Sequence, residues 1–183
     1  MAVGALLLVL SAAVAVAHSL VECDGGTCNG DRHDNRIKGT EKRDVIEARA
    51  GNDTIEAFGS MRSDGRRDVI YGQGGADDIF AGRDNDYVSG GGGNDEIFDE
   101  AGPRSGDDAD DDEVYGGSGA DHINVLDGDG RDFVDCGEGS DEIVRDDGDD
   151  TDNCEDRDTA SSASADSATV SAQQYDGETT ESS

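Results

Sequence analysis

An aliphatic residue two places after an aspartate returns at a nine-residue step along most of this chain. The aliphatic positions are Ile37, Ile46, Ile55, Ile70, Ile79, Val88, Ile97, Val114, Ile123, Val134 and Ile143, with Cys154 closing the series. Two residues before each stand Asn35, Asp44, Asp53, Asp68, Asp77, Asp86, Asp95, Asp112, Asp121, Asp132, Asp141 and Asp152. That makes twelve units, and spacings longer than nine carry short insertions. A fixed period with one apolar position per unit points to a solenoid, in which each unit is covered only by its neighbours.

A helix does not fit. Each glycine costs a helix about 1 kcal/mol against alanine, and nine is not a multiple of 3.6. A β-branched residue with one neighbour on each side suits a strand of about three residues. The glycines before it permit the positive-φ turn that reverses the chain. Each unit therefore reads as a glycine loop plus a very short strand. Stacked turns pair those strands in parallel and pile the aliphatic side chains into a thin core. The expected class is all-β.

The stretch Gly90–Phe98, GGGGNDEIF, shows the unit in full. It matches the pattern G-G-x-G-x-D-x-U-x at every defined position, as does GGSGADHIN at 116–124. The units at 48–56, 72–80 and 136–144 match it less fully. From about residue 30 to residue 155 the chain resembles the hemolysin-type (RTX) calcium-binding repeat proteins. That resemblance implies a parallel β-roll, a β-solenoid of about twelve nonapeptide half-turns. It also implies Ca²⁺ shared between loops of adjacent turns through aspartate carboxylates and loop carbonyls.

The loop chemistry agrees independently. Calcium is a hard ion that takes about six to eight oxygens at roughly 2.3–2.6 Å. A glycine loop exposes carbonyls that bulky side chains would screen, and one aspartate per loop adds charge. A lone aspartate in a glycine turn is ordinary turn chemistry; eleven in register are not.

In a roll each unit is half a turn, so alternate loops lie on opposite edges. Counting from Asn35, the residue two before the aspartate is glycine in the odd units from three to eleven: Gly51, Gly75, Gly93, Gly119 and Gly139. In the even units it is Lys42, Arg66, Asp84, Asp110, Gly130 and Asp150. The extra segments 57–62, 99–106, 125–126 and 145–146 all precede even units. Two unlike edges are expected. The odd edge carries a regular ladder of Asp53, Asp77, Asp95, Asp121 and Asp141, whose five loops leave four gaps for calcium. The even edge carries Asp44, Asp68, Asp86, Asp112 and Asp132 in weaker or altered sites.

Forty-five acidic against fourteen basic side chains give a net charge of −31, with only 33% hydrophobic residues. Such a chain favours cations and argues against nucleic acid and anionic membranes as partners. Twelve apolar positions spread over residues 30–155 are a weak return for ordering a backbone at about 1–2 kcal/mol per residue. Bound metal removes both the repulsion and the deficit, so folding coupled to calcium is expected.

The uncharged run 1–17, MAVGALLLVLSAAVAVA, ends in an A-x-A site and reads as a secretory signal peptide, although it lacks a basic start. An uncleaved anchor is the rival reading; the run is shorter than the ~20 residues of a span. The mature chain is expected to be secreted and not to insert into membrane. This departs from the C-terminal export signal of many proteins it resembles and weakens a toxin analogy.

Four cysteines suit export, and three pairings are open. Local pairing is the simplest. Cys23 with Cys28 would close a cap over 18–29, and Cys136 with Cys154 would staple the last turn. The rival is a CxxxxC zinc half-site; the three histidines form no ligand-spaced cluster. Residues 156–183, rich in Ser, Thr and Ala, read as a disordered acidic tail. The acidic run 147–155 has a minor likeness to short calcium loops but lacks their glycine.

No GxSxG or HExxH stands in the sequence, and no separate region is set aside for catalysis, so no enzyme is expected. The expected role is a secreted calcium-binding repeat protein. The alternatives are a calcium-dependent adhesin, presenting Tyr71, Phe80, Tyr87, Phe98 and Tyr115, and a non-catalytic remnant of a repeat-containing exoenzyme or toxin.

Overall fold

The computed structural model describes residues 19–58, 67–99, 111–128 and 130–155. The expected signal segment and tail, and much of the two longest insertions, lie outside these residues. The described chain is all strand and forms a parallel β-roll of two seven-stranded sheets.

One sheet stacks β1 (Ser19–Glu22), β3 (Asn35–Lys38), β5 (Thr54–Glu56), β7 (Asp78–Phe80), β9 (Glu96–Phe98), β11 (His122–Asn124) and β13 (Glu142–Val144). The other stacks β2 (Thr27–Asn29), β4 (Val45–Ala50), β6 (Val69–Gly74), β8 (Tyr87–Gly92), β10 (Glu113–Gly119), β12 (Phe133–Gly139) and β14 (Asp150–Asp152). The chain alternates between sheets at every strand, so each pair of strands is one turn.

Side chains in a strand alternate faces. In a three-residue strand only the middle one points inward, which is why one aliphatic per unit suffices. Ile37, Ile55, Ile79, Ile97, Ile123 and Ile143 lie in register in the first sheet. Ile46, Ile70, Val88, Val114 and Val134 do so in the second. All are at most 1% exposed. The nine-residue step thus becomes two facing aliphatic columns.

Two adjustments change the reading of the ends. Residues 19–29 add a strand to each sheet, with Val21 paired to Ile37 and Cys28 to Ile46. At the other end Thr151, not Cys154, is the partner of Val134, and Asp150 pairs with Phe133. The last unit is therefore Asp149-x-Thr151. It follows its predecessor by eight residues, and 145–146 is no insertion.

The insertions do share one edge. Those at 57–62, 99–106 and 125–126 all lie in connections from the first sheet to the second, opposite the glycine loops. The aromatics expected on one surface are divided between two. Tyr71, Tyr87, Tyr115 and Phe133 form a ladder on the second sheet, with centroids 5.4–5.9 Å apart. Phe80 and Phe98 stack at 5.3 Å on the first, with His122 next. These rings pack on their cross-strand neighbours.

Both disulfides are local. Cys23–Cys28 joins the sheets in the first turn, and Cys136–Cys154 ties β12 to the residue run after β14, with Cα atoms 5.5 and 4.9 Å apart. A cross-link of this span is worth about 3 kcal/mol in the chain-entropy account. Replacing both Cys136 and Cys154 by alanine is expected to speed amide hydrogen exchange in β13 and β14 ahead of β3 and β5. Uniform or unchanged exchange would show that the last turn does not depend on the staple.

Candidate metal centre

The aspartates of the repeat form two ladders, one on each edge. On the glycine-loop edge every carboxylate reaches back one turn. Asp53 Oδ1 accepts the N–H of Asn35 at 2.6 Å, Asp77 that of Asp53 at 2.8 Å, and Asp95 that of Asp77 at 2.9 Å. Asp121 then accepts from Asp95, and Asp141 from Asp121, both at 2.9 Å. The bond is possible because parallel stacking sets each aspartate directly over its equivalent. It satisfies a backbone N–H that the sharp turn would otherwise bury unpaired.

The second oxygen has no such role. Asp53, Asp77, Asp95, Asp121 and Asp141 are at most 2% exposed, and in each Oδ2 has no hydrogen-bond donor. An ionised oxygen in that setting is expensive unless a cation meets it. The first glycine of the loop leaves the space beside it. A Cβ on Gly72 would stand 2.5 Å from Asp77 Oδ2, one on Gly90 2.5 Å from Asp95 Oδ2, and one on Gly116 2.8 Å from Asp121 Oδ2.

The fourth loop position must be glycine for a further reason. Gly51, Gly75, Gly93, Gly119 and Gly139 all have positive φ. A Cβ on Gly75, Gly93, Gly119 or Gly139 would run into the carbonyl oxygen of the equivalent glycine one turn earlier. These carbonyls therefore stack along the same edge as the orphaned carboxylate oxygens. Hard oxygen donors of this kind suit calcium.

The opposite edge repeats the ladder. Asp44 Oδ1 accepts from Gly26 at 3.0 Å, Asp68 from Asp44 at 2.7 Å, and Asp86 from Asp68 at 2.8 Å. Asp112 accepts from Asp86, Asp132 from Asp112 at 3.0 Å, and Asp149 from Asp132 at 3.2 Å. The ladder ends on Asp149, which the nine-residue frame passes over; an eight-residue step from Asp141 would have found it. Here the second oxygens differ along the stack. Asp44 Oδ2 takes the Thr40 N–H at 2.7 Å and the Thr40 hydroxyl at 2.9 Å. Asp86 and Asp132 Oδ2 are buried without a donor.

Burial raises these carboxyls above the ordinary 3.8, and neighbouring carboxylates add to it: Asp95 to about 6, Asp68 and Asp77 to about 7. Asp86 and Asp132 are pushed further for the same two reasons. The exposed Asp31 and the half-buried Glu113 move the other way through hydrogen bonds to His33 and to Arg67.

An all-β roll with a stack of buried oxygens along its edge is built as a calcium-binding repeat module. Four copies of the RTX calcium-binding nonapeptide repeat match residues 29–57, 63–101, 107–129 and 124–152. The chain belongs to that family, and calcium is the ion its repeats bind. No curated protein matches the chain, and no solved structure does.

Two outcomes follow from the ladders. Without calcium, the folded chain holds protons that the unfolded chain releases above about pH 4. Stability of the ion-free roll is then greatest below that pH and is lost as pH rises through 6 to 7, where Asp95, Asp68 and Asp77 ionise. Circular dichroism in chelator across pH 4–8 checks it; a roll that gains strand content with rising pH contradicts it. Gly93→Ala should abolish the regular stack at any calcium level, since the clash is with backbone, whereas Ser89→Ala, on the outer face of β8, should change stability by less than about 0.5 kcal/mol.

Proposed function

We propose that this is an exported, non-catalytic calcium-binding module whose β-roll folds when calcium enters its loops. The ions lie between successive glycine loops. Asp53, Asp77, Asp95, Asp121 and Asp141 offer their second carboxylate oxygens, and Gly51, Gly75, Gly93, Gly119 and Gly139 offer carbonyls. Five loops enclose four such gaps. On the other edge Asp68, Asp86, Asp112 and Asp132 serve altered sites, while Asp44 has both oxygens engaged in its own turn and the next.

The observation that carries this reading is the column of buried Oδ2 atoms without donors. Water does not reach them and no protein group answers them, so the ladder suits a cation better than it suits the protein alone. Metal that binds only the folded chain stabilises it by RT ln(1 + [L]/Kd), about 2.7 kcal/mol per site at a hundredfold excess over Kd. Several sites in one stack make binding energy into folding energy.

Export is supported by the apolar segment 1–17 and by two disulfides, which persist in oxidising compartments. Calcium sites of extracellular modules have dissociation constants of about 10⁻⁴–10⁻³ M, so a chain tuned to that range folds after it leaves the cell.

Circular dichroism and native mass spectrometry on the same sample test the reading. In chelator the chain should be largely unordered; millimolar calcium should produce β structure and a ladder of bound ions. Asp95→Asn should lose at least one ion and shift the calcium midpoint upward severalfold. Equal strand content in chelator and calcium would overturn the coupling.

A further inference from the structure

The inward column on the inserted edge holds one residue out of character. Ala57, Ala81, Asp99 and Val125 occupy successive levels, each donating its N–H to the strand end of the next turn: Phe80, Phe98, Asn124 and Val144 respectively. Ala57, Ala81 and Val125 are at most 1% exposed, and Asp99 is 7% exposed. A small apolar side chain is what this position otherwise takes. A carboxylate there gives up its hydration for no gain in packing.

Asp99 faces two other carboxylates. One ligand oxygen from each of Asp99, Asp127 and Asp132 lies within 4.8 Å of the other two. Two oxygens bound to one calcium at roughly 2.3–2.6 Å can stand no more than about 5 Å apart, so the three fit around a single ion. A second observation points the same way: Asp132 is 1% exposed, its Oδ1 is taken by the Asp112 N–H, and its Oδ2 is buried with no donor.

The acidic residues beside the cluster have other duties. Asp146 Oδ2 accepts the N–H groups of Asp127 at 3.1 Å and Gly128 at 2.7 Å, fixing the backbone that carries Asp127. Asp149 accepts from Asp132 with Oδ1 and from Asp146 with Oδ2.

We propose that Asp99, Asp127 and Asp132 hold one further divalent cation on the inserted edge, at a site that adds Asp99, from outside the nonapeptide template, to two carboxylates of one unit. Asp99 opens a segment that interrupts the repeat, Asp127 stands directly after the extra residues 125–126 at the first position of its unit, and Asp132 is that unit's ladder aspartate. A three-carboxylate oxygen set selects a hard ion, calcium before zinc. The site rests on the proposed reading of the repeats only for which ion is present.

Asp99→Ala is the informative variant, because alanine already stands at levels 57 and 81 and the roll will accept it. The full chain, titrated with calcium alone and counted by native mass spectrometry, should carry one ion fewer in Asp99→Ala than in the parent, with the same circular dichroism in millimolar calcium. Asp127→Asn should remove the same ion, and the double variant should remove no second one. Equal counts in Asp99→Ala and parent overturn this site while leaving the repeats untouched, provided Asp95→Asn loses its ion. Two ions lost in the double variant overturn a shared site. A parent chain without any bound ion overturns both readings together.

Discussion

The roll depends on a carboxylate with divided duties. One oxygen of each aspartate on the glycine-loop edge closes the backbone of the turn before it, and the other is left in the dry edge of the stack. The first rung carries a neutral amide and takes on neither duty. Asn35 sits at the first rung, fully buried; its Oδ1 accepts the Asp31 N–H at 2.7 Å, and its Nδ2 donates to Ser19 Oγ at 2.6 Å. An asparagine rung is thus satisfied by protein groups. The aspartate rungs above it are not, and they are stacked one strand spacing apart, where like charges at effective dielectric 20 repel by about 3–4 kcal/mol. Under the function proposed above, a cation between successive rungs offsets that repulsion.

The glycines follow from the same requirement. On that reading an ion between two loops takes carbonyls from both, and the loops do approach until backbone meets backbone. Position four tolerates nothing but glycine because its Cα lies against the carbonyl of the preceding turn. Position two is less strict. It is glycine at 91, 117 and 137, but Arg49 and Gln73 adopt positive φ there, at 83° and 72°. Those two strained residues belong to the earlier turns, where the first loop position is Ala48 before Arg49 and Gly72 before Gln73. The glycine-loop edge therefore becomes more regular towards the middle of the stack.

Much of this was legible in the sequence, because period nine leaves little freedom. It placed Ile37 through Ile143 in their columns, assigned alternate loops to opposite edges, and put the insertions on one of them. It failed where the unit changes its chemistry. Thr151 is not aliphatic and stands eight residues on, so the nearby Cys154 captured the frame. Val21 and Cys28 precede any Asp-x-aliphatic unit, so their strands gave no periodic signal. The division of labour within each carboxylate was invisible as well. It depends on a contact to a residue 18–26 positions earlier in the chain, which no local pattern encodes.

That contact absorbs variation in turn length on both edges, and the inserted edge shows how. From Asp68 to Asp86 the reach is 18 residues, from Asp86 to Asp112 it is 26, and from Asp112 to Asp132 it is 20. The hydrogen bond is the same each time, so the added residues loop out of the column without moving its register. The glycine loops themselves keep their length, since each is clamped against the next by backbone contact, so the added residues enter on the other edge. A segment inserted on the permissive edge returns to the stack at a fixed level, and its first residue, such as Asp99, then faces an interior that the repeat has already lined with carboxylate. Chemistry outside the nonapeptide template is accordingly expected where the chain leaves the roll and comes back.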